Sequence, residues 1–320
     1  MWFAKKANVE AIKKDDNDVP DIPEMGMSGR RRADKFADEP VWQKLHQIAD
    51  EMEQDFKEHF LDATGNVKDE IVLERMKEGF DAGDVNKVQA QIEWENYEID
   101  LEPLIQDYTV TIQEAGQDVI AHLPPEYRNV TFNVNNPRVI EYINDRTGFL
   151  ITQITESNRR AIRNIIQDTY IRGYHPDVAS KHIKNIVGLT ERQSQAVHNR
   201  VNKLIDDGIP QRIAFEQGEE YSERLLNHRA ETIARTETMD AVNHAHHETI
   251  LQGVDEGIIP ERDTVKEWIT TPDDRLCDDC EPMNEQQQNL RDDFTGGLGN
   301  VDVPPYHPNC RCAVRYRILD

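Results

Sequence analysis

Residues 276–280 read Leu-Cys-Asp-Asp-Cys, and residues 304–312 read Pro-Pro-Tyr-His-Pro-Asn-Cys-Arg-Cys. These two stretches contain all four cysteines of the chain. Because scattered structural thiols would not cluster in this way, we expect the four cysteines to act together. A CxxC turn places two sulfur atoms on one side of a metal ion, as tetrahedral zinc requires. The sequence shows no secretory signal, so metal binding is favoured over disulfides.

The pattern offers five donors for the four positions around a zinc ion. The candidate ligands are Cys277, Cys280, His307, Cys310 and Cys312. The first four form the preferred set, and Cys312 could replace Cys310, because alternate residues of a strand point the same way. Four protein ligands predict a structural ion, since catalytic zinc keeps an open position. Two disulfides or free packed thiols are the alternatives.

The amino-acid composition limits the fold classes that the rest of the chain can adopt. Of its 320 residues, 37% are hydrophobic and 31% are charged, which favours long amphipathic helices with much solvated surface over a thick sheet. No run of eighteen apolar residues is present, so no membrane span is expected. The predicted fold class is mainly α (α+β), an extended helical body with a small β-containing C-terminal Cys/His module.

The periodicity of apolar residues and the positions of proline and glycine divide the chain into four regions. We expect a flexible arm over 1–40, a helical N-terminal region over 41–125, a helical core over 130–258 and the Cys/His module over 259–320. Within the core, alternation predicts a short strand or an extended entry over 130–134. Thr190 and Gln193 fit a capping box that opens a helix. We further expect one helix over 211–217 and a separate long helix over about 220–256.

The charge is uneven along the chain. The net charge is −24, yet residues 131–200 carry ten basic and six acidic residues, a net of +4. One face of a predicted helix in this stretch presents Arg159, Arg160, Arg163 and Arg172. Clustered cations of this kind could contact nucleic-acid phosphates, whereas the acidic ends of the chain argue against general nucleic-acid binding. A solvated helical face is the alternative interpretation of these arginines.

The last long helix carries two further polar groups. Residues 234–238 read Ala-Arg-Thr-Glu-Thr, and Asn243 follows on the same helix. Arg235 and Glu237 lie on different faces, so we expect contacts with other helices rather than an ion pair between them. His244, His246 and His247 suggest a solvated face, although the spacing of the first and last would allow a shared metal ion.

Several blocks, taken in order, carry a family resemblance. They are TFNVNNPRVIEYINDRTG, GLTERQSQAV, AETIARTETMDAVN, EWITTPDDRLCDDC and PPYHPNCRC. Residues 131–320 thereby resemble the Mu F-like minor head proteins of tailed phages, a family also called the phage head morphogenesis domain. The tryptophan strand, the CxxC and the HPNCRC are the most specific blocks.

The resemblance implies a structural protein of the virion head near the portal vertex, made in the host cytoplasm, that assists procapsid assembly and has no enzymatic role. Its implied partners are the portal protein and major capsid or scaffolding proteins, with phage DNA as a further one. The Cys/His positions carry over, whereas Arg235, Thr236 and Glu237 carry over as a signature without a known role. The alternatives are a DNA-binding protein ejected with the genome and a divergent metal-dependent nuclease.

Overall fold

The computed structural model describes residues 40–270 and 276–319, without the side chains of residues 40–42. The arm expected over 1–40 therefore lies outside the described residues, apart from the backbone of residue 40. No helix in the described part of the chain has the length and apolar character needed to cross a bilayer.

Helices dominate the described residues, and strands occur only near the C-terminus. This confirms the predicted class of a mainly α fold with a small β region. The helices are α1 (Pro40–Glu70), α2 (Leu73–Asp81), α3 (Val85–Gln89), α4 (Trp94–Asp100), α5 (Pro103–His122), α6 (Pro137–Arg172), α7 (Pro176–Ile186), α8 (Glu191–Asp206) and α9 (Gln211–Asp255).

Five short strands form two antiparallel sheets. They are β1 (Thr264–Ile269), β2 (Gln287–Asn289), β3 (Phe294–Gly296), β4 (Gly299–Val301) and β5 (Ala313–Ile318). The three-stranded sheet has the order β2-β1-β5, and β3 pairs with β4 in a hairpin. In the central pair, Trp268 lies opposite Val314. Both side chains are buried, so this sheet contributes one face to the core of the Cys/His module.

Local sequence explains how several helices begin and end. The capping box at the start of α8 is confirmed, because the Thr190 hydroxyl accepts from the Gln193 N–H while the Gln193 side chain accepts from the Thr190 N–H. Gly188 follows α7 with a φ of +86°, a conformation that glycine adopts without a steric penalty. Asn136 precedes the first residue of α6, and its side chain accepts a hydrogen bond from the Arg138 N–H.

Two compact units can be distinguished. The first comprises residues up to Phe56, Gln106–Ile143 and the segment from Thr232 onward, and the second comprises Lys57–Ile105 and Asn144–Glu231. These units group the chain differently from the four regions expected from sequence, whose boundaries stay a prediction. The Cys/His module and the C-terminal half of α9 both belong to the first unit.

Of the two forms expected for residues 130–134, the strand is wrong. No described residue of this segment is in a strand. The N–H of Asn133 donates to the Gln252 side chain of α9 at 2.8 Å, and the N–H of Thr131 donates to the side chain of Glu256, the residue that follows α9. The ring of Phe132 packs so closely against Gly116 of α5 that a Cβ there would overlap it. The alternation therefore reflects a segment that lies on helices.

The expected break near residue 218 is also wrong, because α9 is one continuous helix of 45 residues. Gly218 lies inside it, where an added Cβ would collide with Val201 of α8. The glycine thus permits close packing of two helices and does not end one. Helix α1 is likewise continuous, over the 31 residues from Pro40 to Glu70.

Candidate metal centre and its supporting helix

The Cys/His module has its own apolar core. Three of its four cysteines are among the buried residues of this core, which are Trp268, Cys280, Met283, Phe294, Val301, Val303, Tyr306, Cys310, Cys312 and Val314. Trp268 makes edge-to-face contacts with Phe294 and Tyr306. The aromatic rings and the strands therefore fix the positions of the loops that carry the cysteines.

Two tight turns present the donors. In the first, the N–H groups of Cys280 and Glu281 donate to the carbonyl of Cys277, which curls the CxxC segment. In the second, the N–H of Cys310 donates to the carbonyl of His307. Each turn brings its two donor side chains to one side of the backbone, as the sequence spacing predicted.

The two turns face each other across a short distance. Nε2 of His307 lies 2.9 Å from Sγ of Cys277 and 3.1 Å from Sγ of Cys280. Sγ of Cys280 lies 3.8 Å from Sγ of Cys310. Two trios of donor atoms each fall within 4.8 Å, namely Cys277 with Cys280 and His307, and Cys280 with Cys310 and Cys312. Cys280 belongs to both trios and is the centre of the cluster.

The thiols and the imidazole of this cluster are donors that a zinc ion accepts, and one of their separations matches tetrahedral coordination. The two Nε2–Sγ separations are shorter and are those of hydrogen bonds. With Zn–S bonds of about 2.3 Å, two thiolates at adjacent corners of a tetrahedron lie about 3.8 Å apart. The Cys280–Cys310 separation agrees with this value. A histidine that binds zinc usually donates its second ring N–H to a carbonyl. Nδ1 of His307 lies 2.7 Å from the Pro308 carbonyl oxygen, so we assign the tautomer that leaves Nε2 to face the thiols.

The electrostatics of the cluster favour a thiolate. Hydrogen bonding by Cys280 is the main factor that lowers the pKa of Cys277 to about 4. Burial alone would lower the pKa of His307, but hydrogen bonds with Cys277 and the Pro308 carbonyl, together with the charges of Cys310 and Cys277, outweigh burial and raise the pKa to about 9. Since the thiolate is the form that binds metal ions, the cluster is poised to receive a cation.

The structure also bears on whether Cys310 or Cys312 would be the fourth ligand. Strand β5 begins at Ala313, so neither cysteine lies on a strand, and the argument from alternating side chains does not apply. Both are 2% exposed, and both lie near Cys280. Of the two, Cys310 closes the turn that also carries His307.

Side chains of α9 bind the backbone of the second turn. The Thr236 hydroxyl accepts from the N–H of Asn309 at 3.0 Å and donates to the Thr232 carbonyl. Asn243 donates to the carbonyl of Cys312 at 3.1 Å and accepts from the N–H of Val314 at 3.2 Å. The loop that bears His307 and both of its cysteines is therefore bound to the helix at both ends.

Two residues outside the predicted site take part in these contacts. Nε2 of His46 on α1 lies 3.0 Å from the carbonyl of Arg311, and Asn309 has a φ of +59° while its side chain donates to Thr232. The Pro-Asn pair was a usable signal, because asparagine tolerates this left-handed conformation. His46 gave no such signal, since it lies 265 positions away from its partner.

The Ala-Arg-Thr-Glu-Thr segment makes the expected contacts with other elements. Nη2 of Arg235 lies 2.9 Å from Oε1 of Glu53 on α1, and its Nη1 lies 3.4 Å from Asn309 Oδ1. Burial raises the pKa of Glu53, and the charge of Arg235 opposes this shift. Glu237 is buried on the same helix. The expectation of contacts with other helices is confirmed for Arg235.

Comparison with known proteins identifies this arrangement. The family model described as Phage Mu protein F like protein matches residues 160–315. Residues 160–315 are therefore similar to the Mu F-like family. The match extends over the last third of α6, all of α7 to α9, and the module through both turns of the candidate centre. No curated protein and no solved structure matches the chain.

The match to the Mu F-like family confirms the resemblance seen in the sequence and indicates a role in phage head morphogenesis. The matched region contains all five candidate donors as well as Arg235, Thr236 and Glu237. The family thus favours a structural over an enzymatic role.

The three histidines of the Mu F-like region do not form a solvated face, and that expectation is wrong. His244, His246 and His247 are 8%, 4% and 3% exposed. His244 stacks on Tyr142 with ring centroids 3.3 Å apart, and His247 lies near Tyr316 and Asp302. Among the described residues, these histidines join no group of three metal donors. Their side of α9 is covered by α6 and the module.

The four arginines proposed for nucleic acid separate into two places. Arg159, Arg160 and Arg163 line one cavity of about 380 Å³ together with Trp94. Arg159 lies over the Trp94 ring and pairs with Glu156, and Arg160 lies 3.7 Å from Glu191. Arg172 does not line this cavity and pairs instead with Asp168 and Asp206.

Proposed function

We propose that this protein is a structural minor head protein of a tailed phage, located in the virion head near the portal vertex, and that one zinc ion holds its C-terminal module closed. The observation that carries this proposal is the match of the Mu F-like family model to the segment that holds both turns of the cluster. Portal protein and major capsid or scaffolding proteins are the partners that such a role requires.

The number of protein donors supports a structural ion. We propose Cys277, Cys280, His307 and Cys310 as its four ligands, with Cys312 as a neighbouring thiol. Cys280 and Cys310 are each 2% exposed, whereas Cys277 and His307 are half-buried. A metal-dependent nuclease would need an open coordination position, and four protein ligands argue against that alternative. When bound, zinc would crosslink two loops that share little regular secondary structure.

Association with procapsids tests the assignment to the head. Cells that express the head genes, including the full chain, are lysed, and the procapsids are separated on a density gradient. We expect the protein to sediment with particles that contain the portal and to remain soluble when the portal gene is omitted. Sedimentation of normal procapsids with the protein left in the soluble fraction would contradict the proposal.

A second candidate function is DNA binding at the cavity of Arg159, Arg160 and Arg163. The observation in its favour is that three cations and one aromatic ring line the same space, a combination that suits a phosphate beside a stacked base. Charge reversal at Arg160 and Arg163 should then abolish a DNA mobility shift at low salt. Reversal at Arg212, which is exposed on α9 and pairs with Glu216, is the matched control. An equal loss of the mobility shift in the Arg160/Arg163 variant and in the Arg212 variant would indicate only nonspecific attraction of DNA, and it would contradict this second function.

A further inference from the structure

The Ala-Arg-Thr-Glu-Thr segment and Asn243 have no assigned role, yet they lie against the backbone of the candidate metal loop. Between His307 and Cys312 the described chain contains no helix and no strand. Only one turn hydrogen bond links the backbone of this stretch internally, from the N–H of Cys310 to the carbonyl of His307. Something else must therefore fix the position of its donors.

Three side chains from two helices supply that support. Thr236 accepts from the N–H of Asn309, His46 binds the carbonyl of Arg311, and Asn243 binds the carbonyl of Cys312. Asn243 also accepts from the N–H of Val314, the second residue of β5. Backbone groups on both sides of Cys310 are thus tied to α1 and α9.

The supporting atoms have few alternatives. Thr236 uses its hydroxyl both to donate to Thr232 and to accept from Asn309, and Asn243 uses both atoms of its amide. Thr236 is 7% exposed and Asn243 is fully buried, so water cannot easily replace either one. Loss of either side chain would leave loop groups unsatisfied and free to turn away from the opposite donors.

We propose that Thr236 and Asn243 are positioning residues for the metal site, which orient the His307–Cys312 loop so that its donors face Cys277 and Cys280. This gives a role to the family signature on α9. The inference rests on the metal site of the proposed function. Groups that orient ligands without touching the ion typically change metal affinity by about 10- to 100-fold.

The test measures zinc affinity in the full-length reduced protein by competition with a chromophoric chelator. Thr236→Val keeps the side-chain volume and removes the hydroxyl, whereas Thr236→Ser restores it. We expect zinc affinity to fall by about 10- to 100-fold in Thr236→Val and in Asn243→Leu, and to stay near the wild-type value in Thr236→Ser. Asn227→Ala is the matched control, because Asn227 is exposed on α9 and its amide donates to a carbonyl of the same helix.

The absorption spectrum of bound cobalt reports the geometry of the metal site, and a general loss of stability would not change it. Tetrahedral Co²⁺ absorbs in the visible range, and displaced ligands alter both the intensity and the position of its bands. We expect altered bands in Thr236→Val and Asn243→Leu, and wild-type bands in Thr236→Ser and Asn227→Ala. Wild-type zinc affinity and unchanged cobalt bands in both loop variants would overturn the inference.

The remaining outcomes are also decisive. A Thr236→Val protein that does not fold would contradict the inference, because Thr236 would then serve the fold and not the metal loop. A wild-type chain that binds neither zinc nor cobalt would refute the metal site itself. The assignment to phage heads would be unaffected by that result, since procapsid association tests it separately.

Discussion

The hydroxyl of Tyr316 lies 2.7 Å from Nδ1 of His247, and this contact joins strand β5 to helix α9. Nε2 of the same histidine lies 3.4 Å from Asp302, whose carboxylate also binds the buried Lys266. We assign the neutral tautomer in which Nε2–H faces Asp302 and the Tyr316 hydroxyl donates to Nδ1. Protonation of His247 would place a second cation beside Lys266 and displace the hydroxyl hydrogen.

Acid should destabilise the protein through the buried histidines. Burial lowers the pKa of His244 and His246 to about 3 and that of His247 to about 4. In the unfolded chain their pKa is near 6.5, so only that state takes up protons as the pH falls below 6.5. Stability is therefore complete above pH 6.5 and declines toward pH 4. We expect about 1 to 2 kcal/mol of loss per histidine between pH 7 and pH 5.

Urea unfolding at pH 7 and pH 5, with excess zinc, measures this effect. His244→Phe keeps the stacking on Tyr142 and removes one titrating group, so its loss between the two pH values should be smaller than that of wild type. Equal pH dependence in wild type and His244→Phe would contradict the assignment of His244 as a buried neutral group.

The close packing of Phe132 on Gly116 predicts a sharp difference between two glycines. Gly116→Ala would force the Cβ into the Phe132 ring and should lower the free energy of unfolding by about 1 to 3 kcal/mol. Gly148→Ala, on helix α6, meets no atom within 4 Å and should be neutral or stabilising by about 0.5 to 1 kcal/mol. Thermal unfolding of both variants checks the pair, and similar melting temperatures would argue against this packing.

Asn158 should be essential to the connection between α7 and α8. Its fully buried amide donates to the carbonyls of Ile186 and Leu189 and accepts from the N–H of Gly188. Asn158→Ala leaves these buried groups unsatisfied and should cost about 2 to 4 kcal/mol. Asn164→Ala, at an exposed position of the same helix, should change stability by less than about 0.5 kcal/mol. Chemical denaturation measures the free energy of unfolding of both variants. An equal loss in the two would contradict the role of Asn158 in holding the connection between α7 and α8.

The Arg235–Glu53 ion pair should couple α1 to α9 only modestly. The pair is partly exposed, so a double-mutant cycle with Arg235→Ala and Glu53→Gln should give a coupling energy of about 0.5 to 1 kcal/mol. The coupling should shrink at high salt, since solvent ions screen partly exposed charges. A coupling near zero at low salt would mean that the two residues are not in contact in solution.

Local signals in the sequence predicted local structure well. The capping box of Thr190 and Gln193 depends on neighbours within a few positions, and it is confirmed. The CxxC spacing likewise predicted a turn with two sulfur atoms on one side, because such a segment curls on itself. What brings the two turns together is tertiary packing around Trp268.

The wrong predictions share a cause, which is that distant partners decide the outcome. Residues 130–134 alternate like a strand, yet Gln252 of α9 and Glu256, the residue that follows it, bind their backbone groups. Gly218 lies between two segments that were expected to be separate helices, but it accommodates Val201 of another helix. The histidines look solvated, since their composition is polar, but α6 and the module cover them. No local pattern identifies a partner on another element of the fold.

Zinc content tests the central claim most directly. Full-length protein is purified under reducing conditions without added metal, and its zinc is measured by elemental analysis together with its free thiols. We expect about one zinc per chain in the wild type and in Cys312→Ser, and less than a tenth of that in Cys280→Ser, the donor shared by both trios. Wild-type protein that is folded and reduced, contains no zinc and takes up none when it is supplied would contradict the claim that a zinc ion closes the module.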